Sequence, residues 1–247
     1  NRYQEILSGL GSVPMANPLA FTMLCRDKLE SQLRLAALGV PMPEVVSDPI
    51  EFSDALTAWG AGFLKPRFGA LGIGVQRVLP GDALPPELTG VVPGRPDPSL
   101  LQRAITPPEG WASRTVRVLL QRNPSGGWAS GTPVVRSSRT DPVANAARGA
   151  EVAAGPAVLP TAVLKRIADA THPIIKAFEQ LEDSDWVLEA GVDLVLDVDH
   201  QPWLVEINSR PRGRMEVLAA TDPDRYRQAH IAAAARPIAR IAALISH

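Results

Sequence analysis

The chain has 247 residues, of which 45% are hydrophobic and 21% charged, with a formal net charge of −1. These values are typical of a soluble globular protein of one or two domains, and they exclude a generally basic nucleic-acid binder. No apolar run reaches the roughly 18 residues that a membrane helix needs. The single cysteine, Cys25, excludes an internal disulfide. We therefore expect a cytoplasmic protein that binds neither nucleic acid nor a membrane.

Lysine is unusually scarce in this chain. Only four of the 25 basic residues are lysines, namely Lys28, Lys65, Lys165 and Lys176. Where arginine fills most surface positions, a remaining lysine is a candidate for a task that needs a compact ammonium group, such as contact with a phosphate. Lys165 and Lys176 fit ordinary helix surfaces, so the candidates are Lys28 and Lys65.

In chain order, residues 17–39 predict a helix with Asn17 as its N-cap and a stop at Gly39. The following elements are an extended segment at 40–46, a helix over 48–58, a buried strand at 63–66, a strand at 75–79, a Pro- and Gly-rich connection over 80–98 with one extended stretch, a strand at 100–105, a hairpin of 115–122 and 128–138, a helical segment over 161–182 that Pro173 kinks or interrupts, two strands at 186–197 and 202–209, and a helix over 222–246.

The irregular mixture of helices and strands predicts an α+β fold with antiparallel sheets rather than a doubly wound parallel sheet. Proline-rich stretches near 80–98 and 106–110 bracket the strand at 100–105. This pattern indicates a hinge between two lobes, and a cleft at the hinge would be a natural ligand site.

The strongest chemical signal lies in the last two predicted strands. Asp193 is in GVDLVLD, while Glu206 and Asn208 alternate in VEINSRP. Alternate residues of a strand share a face, so a hairpin would bring these three side chains together. Two carboxylates and an amide oxygen suit Mg²⁺ held jointly with the phosphates of a nucleotide. The alternative is that Glu206 and Asn208 lie on the solvent face of an edge hairpin, with Leu204, Val205 and Ile207 packed in the core.

A second signal joins Lys65 to a glycine loop. FLKP is followed by RFGALGIGV, in which Gly69, Gly72 and Gly74 are the glycines. A strand that presents a lysine beside such a loop places an ammonium and backbone N–H groups against phosphate oxygens. The loop lacks the Gly-Lys-Ser/Thr of a Walker motif. By itself the glycine pattern is more typical of a mobile hairpin turn, but its position beside one of only four lysines, together with the carboxylate cluster, favours the phosphate role.

These motifs in this order resemble the ATP-grasp superfamily of carboxylate-amine ligases, over about residues 17–215. The resemblance is closest to the YheC/YheD-type (endospore coat-associated) and ribosomal-protein-S6 glutamate-ligase-like branches. The segments that carry it are Asp27-Lys28, FLKPRFGALGIGV, LLQRAI, TVRVLL, VVR, GVDLVLD and VEINSRP. It implies the ATP-grasp fold, in which two α+β subdomains hold ATP in the cleft between them.

The resemblance also implies roles for individual residues. Phosphate contacts and the lid would involve Lys28, Lys65, Gly69, Gly72 and Gly74. The segment that borders adenine would be Gln102, Arg103, Ala104 and Ile105. Basic groups at the reacting phosphates would be Arg117, Arg136 and Arg210, and the substrate side would include Asn145, Arg148 and Arg212. Asp193, Glu206 and Asn208 would bind Mg²⁺, as two ions, with Mn²⁺ as an alternative metal.

The implied activity is formation of an amide bond from a carboxylate and an amine, through an acyl-phosphate, with release of ADP and phosphate. The acceptor is expected to be an amino acid or a peptide-like molecule. We expect an N-terminal segment at 1–43, a small lobe at 44–105 and a large lobe at 106–247, with a homo-oligomer or an upstream domain completing the acceptor pocket. The alternatives are a phosphotransferase on the same scaffold and a nucleotide-binding module without catalysis.

Overall fold

A computed structural model of the protein describes residues 15–69, 72–89, 96–144, 149–211 and 215–246. The helices in these residues are α1 (Leu19–Arg26), α2 (Lys28–Ala37), α3 (Phe52–Trp59), α4 (Gly155–Val158), α5 (Thr161–Glu179), α6 (Glu216–Thr221) and α7 (Pro223–Ile245). The strands are β1 (Val45–Val46), β2 (Gly62–Pro66), β3 (Gln76–Val78), β4 (Glu87–Thr89), β5 (Pro96–Arg103), β6 (Ser113–Arg122), β7 (Trp128–Ser130), β8 (Val134–Ser138), β9 (Glu151–Ala154), β10 (Glu189–Leu196) and β11 (Pro202–Asn208). Within the described ranges, no helix is both long and apolar enough to cross a bilayer.

The strands form two sheets. The small sheet has the order β1-β5-β2-β3, with β4 also paired to β5, and the large sheet has the order β11-β10-β6-β8-β9, with β7 also paired to β6. All of these pairings are antiparallel. The prediction of an α+β fold with mostly antiparallel sheets is therefore confirmed.

Each sheet has its own hydrophobic core. Helix α3 covers the small sheet, where Phe52 and Leu56 pack with Leu64 and Leu101. The larger core lies between the large sheet and helices α1 and α5, and the rings of Phe21 and Phe178 meet there edge to face at 5.0 Å. Because each sheet is anchored on its own apolar cluster, polar side chains on the opposite sheet faces are free to line the space between them.

The helix predicted over residues 17–39 is wrong in one respect, because the chain forms two helices. Asp27 has an extended backbone, with φ −91° and ψ 98°, and separates α1 from α2. Its carboxylate accepts hydrogen bonds from the N–H groups of Leu29 and Glu30, as an N-cap does. The break makes Lys28 the first residue of α2.

Asn17 is not an N-cap of α1, a position that Pro18 occupies. The Asn17 side chain accepts from the Leu188 N–H at 2.8 Å and donates to the carbonyls of Glu189, at 2.9 Å, and Ser209. It therefore joins the start of α1 to the strands that carry the acidic residues.

The predicted interruption at Pro173 is absent, because α5 is one helix that passes through this proline. Proline removes one helical hydrogen bond. The buried side chains of Ile174 and Phe178 keep the following turn packed on the large sheet.

Replacement of Asn17 should destabilise the fold. Asn17→Ala removes hydrogen bonds to four backbone groups, and we expect the free energy of unfolding to fall by about 1–3 kcal/mol in denaturant titrations. Gln228→Ala, on the exposed surface of α7, is the matched control and should change stability by less than about 0.5 kcal/mol. Equal stability of the two variants would contradict the role of Asn17.

Candidate functional site

A cleft of about 730 Å³ lies between the two sheets. Strands β2, β3 and β5 of the small sheet line one side, and strands β6, β8, β10 and β11 of the large sheet line the other. Its lining includes nearly all described residues that the sequence singled out, namely Lys28, Lys65, Gly69, Gly72, Gln102, Arg103, Ala104, Ile105, Arg117, Arg136, Asp193, Glu206, Asn208 and Arg210. Residues far apart in the chain thus meet in one place.

The two candidate lysines enter the cleft from different elements. Lys65 is on β2, and its ammonium donates to Gln102 Oε1 at 2.8 Å. Lys28, at the start of α2, donates to the Gly69 carbonyl, and its Nζ lies 3.8 Å from Glu206 Oε1. Burial lowers the pKa of both lysines, and Lys65 falls to about 8. Each ammonium is poorly hydrated and would gain from an anion in the cleft.

The glycine loop folds back over the end of β2. Gly74 has φ +73°, a left-handed conformation, and an added Cβ would lie 2.9 Å from Pro66 Cγ. A Cβ added at Gly69 would likewise lie 2.9 Å from Pro66 Cβ. The close approach explains the need for glycine at Gly74. Residues 70 and 71 of this loop lie outside the described residues.

The strand end at Gln102–Ile105 borders the cleft, but its groups are not equally available. The Gln102 side chain is buried, and Arg103 lies 3.6 Å from the exposed Glu44 carboxylate. The Ala104 N–H donates to the Ala61 carbonyl at 3.1 Å. In this segment, which is expected to border adenine, the Ala104 carbonyl and the Ile105 N–H are the candidate backbone contacts.

The acidic residues meet as the alternation of the strands predicts. Asp193 of β10 stands opposite Glu206 of β11, and Asn208 stands opposite Gly191. The Asn208 Nδ2 donates to Asp193 Oδ2 at 3.0 Å. The solvent-face alternative is wrong, because Glu206 and Asn208 line the cleft.

Val205 does not join Leu204 and Ile207 in the core as the sequence predicts, and instead lines the cleft. The register shifts between Asp193 and Leu194, so that β11 carries one extra residue at Val205. A bulge of this kind changes which face a side chain occupies.

Arginines surround the acidic residues. Arg117 forms a two-point pair with Asp193, in which Nε donates to Oδ1 at 2.7 Å and Nη2 donates to Oδ2. The Arg136 Nη1 lies 4.0 Å from Asp193 Oδ1, and the exposed Arg210 lies at the rim.

Burial raises the pKa of Glu206 despite the opposing effect of Lys28. The pKa of Arg117 rises because Asp193 outweighs burial.

The oxygen atoms of Asp193, Glu206 and Asn208 are of the chemical type that Mg²⁺ prefers as ligands, and they lie on facing strands. Arg117 and Lys28 balance the two carboxylates in this structure. Among the described residues, no group of three or more His, Cys, Asp or Glu side chains is arranged to hold a metal ion. The predicted substrate-side residues Asn145, Arg148 and Arg212 lie outside the described residues.

Several residues that shape the site were not identified from the sequence. Arg67 forms a two-point pair with Asp27, at 2.8 and 2.6 Å, and so fixes the end of β2 to the start of α2. Asp97 accepts from the Phe68 N–H, and Gln32 contacts Gln102. In the sequence, only the Asp27-Lys28 pair pointed to this part of the site. The contacts themselves join residues that are 29 to 70 positions apart, so no local pattern marks them.

Residues 98–234 match the sequence profile of the YheC/D-like ATP-grasp family, and this is more than half of the chain. The chain belongs to this family. A search of curated proteins found no match. The ATP-grasp assignment made from the motifs is confirmed.

Solved structures support the ATP-grasp fold. Carboxyaminoimidazole ribonucleotide synthase from Aspergillus clavatus, complexed with ATP, is 17% identical over 77% of this chain and 46% of that chain, with a TM-score of 0.55. L-amino acid ligase from Bacillus licheniformis is 16% identical over 77% and 42%, with a TM-score of 0.52. D-alanyl-alanine synthetase A from Vibrio cholerae is 15% identical over 87% and 66%, with a TM-score of 0.55. This ATP-grasp chain therefore spans about half the length of several structures that it resembles.

The lowered pKa of Lys65 predicts a pH dependence of stability. Its pKa is about 8 in the folded protein against an ordinary 10.5. Between these values the unfolded chain binds a proton that the folded protein has released, so stability rises with pH. Lys65→Met should remove a rise of ~2 kcal/mol between about pH 7.5 and 9.5, measured by denaturant titration.

The matched control for this titration is Lys165→Met, because the Lys165 side chain is 76% exposed. This variant should keep the rise seen in the wild type. A wild-type curve that does not differ in slope from the Lys65→Met curve would contradict the buried, weakly basic state of Lys65.

Proposed function

We propose that this chain is the ATP-grasp part of an ATP-dependent carboxylate-amine ligase that acts through an acyl-phosphate. The observation that carries the proposal is that Lys28 and Lys65 face Asp193, Glu206 and Asn208 across a single cleft. Weakly hydrated ammonium groups opposite hard oxygen ligands suit the polyphosphate of ATP and its metal. Two proteins that share the fold are named as an L-amino acid ligase and a D-alanyl-alanine synthetase, and these names agree with the proposal.

The chemistry requires a carboxylate oxygen to attack the γ-phosphorus of ATP while the bond to the ADP oxygen breaks. Both partners are anions, so positive groups must stabilise the transition state. We assign the phosphate contacts to Lys28, Lys65 and the N–H groups of the loop at Gly69, Gly72 and Gly74. Arg117, Arg136 and Arg210 would stabilise the charge on the transferred phosphoryl group.

The second step is attack of an amine on the acyl carbon, which forms the C–N bond, breaks the bond to phosphate and releases a proton from the amine. Closure of the glycine loop would keep water from the acyl-phosphate. Mg²⁺, held by Asp193, Glu206 and Asn208, would neutralise charge on the phosphate oxygens. The amine and carboxylate are proposed to be amino acids or peptide-like molecules.

We further propose that the two sheets correspond to a small lobe at 44–105 and a large lobe at 106–247. In this arrangement the adenine would lie at Gln102–Ile105, where the backbone passes from one sheet to the other. Asn145, Arg148 and Arg212 are proposed for the substrate side, and a further domain or a second copy would complete the acceptor pocket.

The proposed function is tested by ATP binding and by product identification. Isothermal calorimetry should detect ATP binding in the presence of Mg²⁺. An ADP-release screen with amino acids and short peptides should find a pair of substrates, and mass spectrometry should find their amide product. A stable phosphorylated product would instead identify a phosphotransferase, and ATP binding without ADP release across the panel would identify a module that only binds nucleotide.

Glu206→Gln tests the metal assignment in the same assay. The change removes one carboxylate while keeping the size of the side chain, so the fold should persist while ADP release falls by about 10²–10³-fold. Glu182→Gln, an exposed position outside the cleft, is the matched control and should keep wild-type turnover. Near-normal ADP release by the Glu206 variant would contradict the assignment of Glu206 as a metal ligand.

A further inference from the structure

A row of buried hydrogen bonds runs from Pro43, which lies just before β1, to the Lys65 ammonium. Gln32 of α2 donates through Nε2 to the Pro43 carbonyl and accepts through Oε1 from Gln102 Nε2 at 2.9 Å. Gln102 Oε1 then accepts from Lys65 Nζ at 2.8 Å. The exposed fractions of Gln32, Gln102 and Lys65 are only 6%, 4% and 7%. Water therefore contributes little to the orientation of these groups.

The donors and acceptors of this row can be oriented in only one way. The Pro43 carbonyl only accepts, so Gln32 must turn its NH₂ group toward it and leave its oxygen for Gln102. Gln102 must then turn its own NH₂ group toward Gln32 and leave its oxygen for Lys65. Reversal of either amide would bring two oxygens or two NH₂ groups together in a buried place, which is strongly unfavourable.

The two lysines of the cleft differ in the charge of their partners. Lys28 has the Glu206 carboxylate 3.8 Å away. Lys65 contacts a neutral amide, and no carboxylate of the described residues lies within ion-pair distance of it. Gln102 holds the Lys65 ammonium in place without forming an ion pair with it, and Glu206 acts on it only from a longer distance.

We propose that Gln32 and Gln102 are positioning residues that fix the Lys65 ammonium for the nucleotide phosphates without contributing a negative charge of their own. This inference rests on the proposed function for its ligand. It also explains the residue type at position 102. A glutamate there would turn a carboxylate oxygen toward Gln32 Oε1, and it would neutralise the ammonium that the phosphates need.

The first test uses no nucleotide. The chain has only four lysines, so a protein labelled with [¹³Cε]lysine gives four signals, and a Lys65→Arg variant assigns the one from Lys65. Gln32→Leu should shift the Lys65 signal although Gln32 does not touch Lys65, and it should leave the Lys165 and Lys176 signals in place. An unchanged Lys65 signal in a folded Gln32→Leu variant would overturn the proposal.

The second test separates positioning from a general effect on the cleft. Gln32→Leu should weaken ATP binding by about 10-fold in calorimetry, as loss of one charge-assisted contact does. Binding of adenosine, which has no phosphates, should not change. Equal loss of ATP and adenosine binding would indicate damage to the cleft and overturn the proposal. Gln228→Leu, on the surface of α7, is the matched control and should bind both as the wild type does.

Gln102→Glu serves if the leucine variant does not fold, because it keeps the size of the side chain. It should bind ATP about 10-fold more weakly than the wild type, and it should shift the Lys65 signal while the Lys165 and Lys176 signals stay in place. Wild-type ATP affinity in this variant would overturn the role of the neutral acceptor.

Failure of the wild type itself to bind ATP would refute the proposed function and the phosphate role of Lys65. The lysine signals would still decide whether Gln32 positions Lys65.

Discussion

The geometry of the cleft depends on the polar contacts of the short helix α2, which touches both sides of it. Asp27 binds Arg67 at the end of β2, and Gln32 binds Gln102 on β5, so two contacts tie the helix to the small sheet. Lys28 places its ammonium 3.8 Å from Glu206 of the large sheet. Three residues within two turns of one helix therefore set the distance between the phosphate side and the acidic side of the site.

The same contacts keep unlike charges close in a region that water reaches poorly. Asp193 and Glu206 would repel each other on facing strands, and Arg117 and Lys28 offset that repulsion. Lys65 is left with a neutral partner, and burial lowers its pKa to about 8. A site with a buried ammonium that forms no direct ion pair favours a polyanionic ligand, since binding the ligand places negative charge beside that ammonium. This balance gives a physical reason for ATP in the proposed function.

Much of the site was predictable because its strands follow simple periodic rules. Alternation along β11 placed Glu206 and Asn208 on one face, and the hairpin brought Asp193 opposite them. The break at Asp27 was not predictable from periodicity, since residues 17–39 keep a helical pattern of apolar residues on both sides of it. The position of Val205 was missed for a similar reason. A bulge changes the face of a side chain without leaving a mark in the alternation.

By itself, the sequence determined the family, the antiparallel α+β class and the identity of the acidic and basic groups, because these follow from local periodicity and from motifs a few residues long. Tertiary structure alone decided which of those charged groups form ion pairs and which have only neutral direct partners. Gln32 and Gln102 are 70 positions apart, and nothing in their neighbouring residues marks them as partners. Hydrogen bonds between distant buried groups depend on how the sheets and helices pack, so the partners of Lys65 were settled only when the chain had folded.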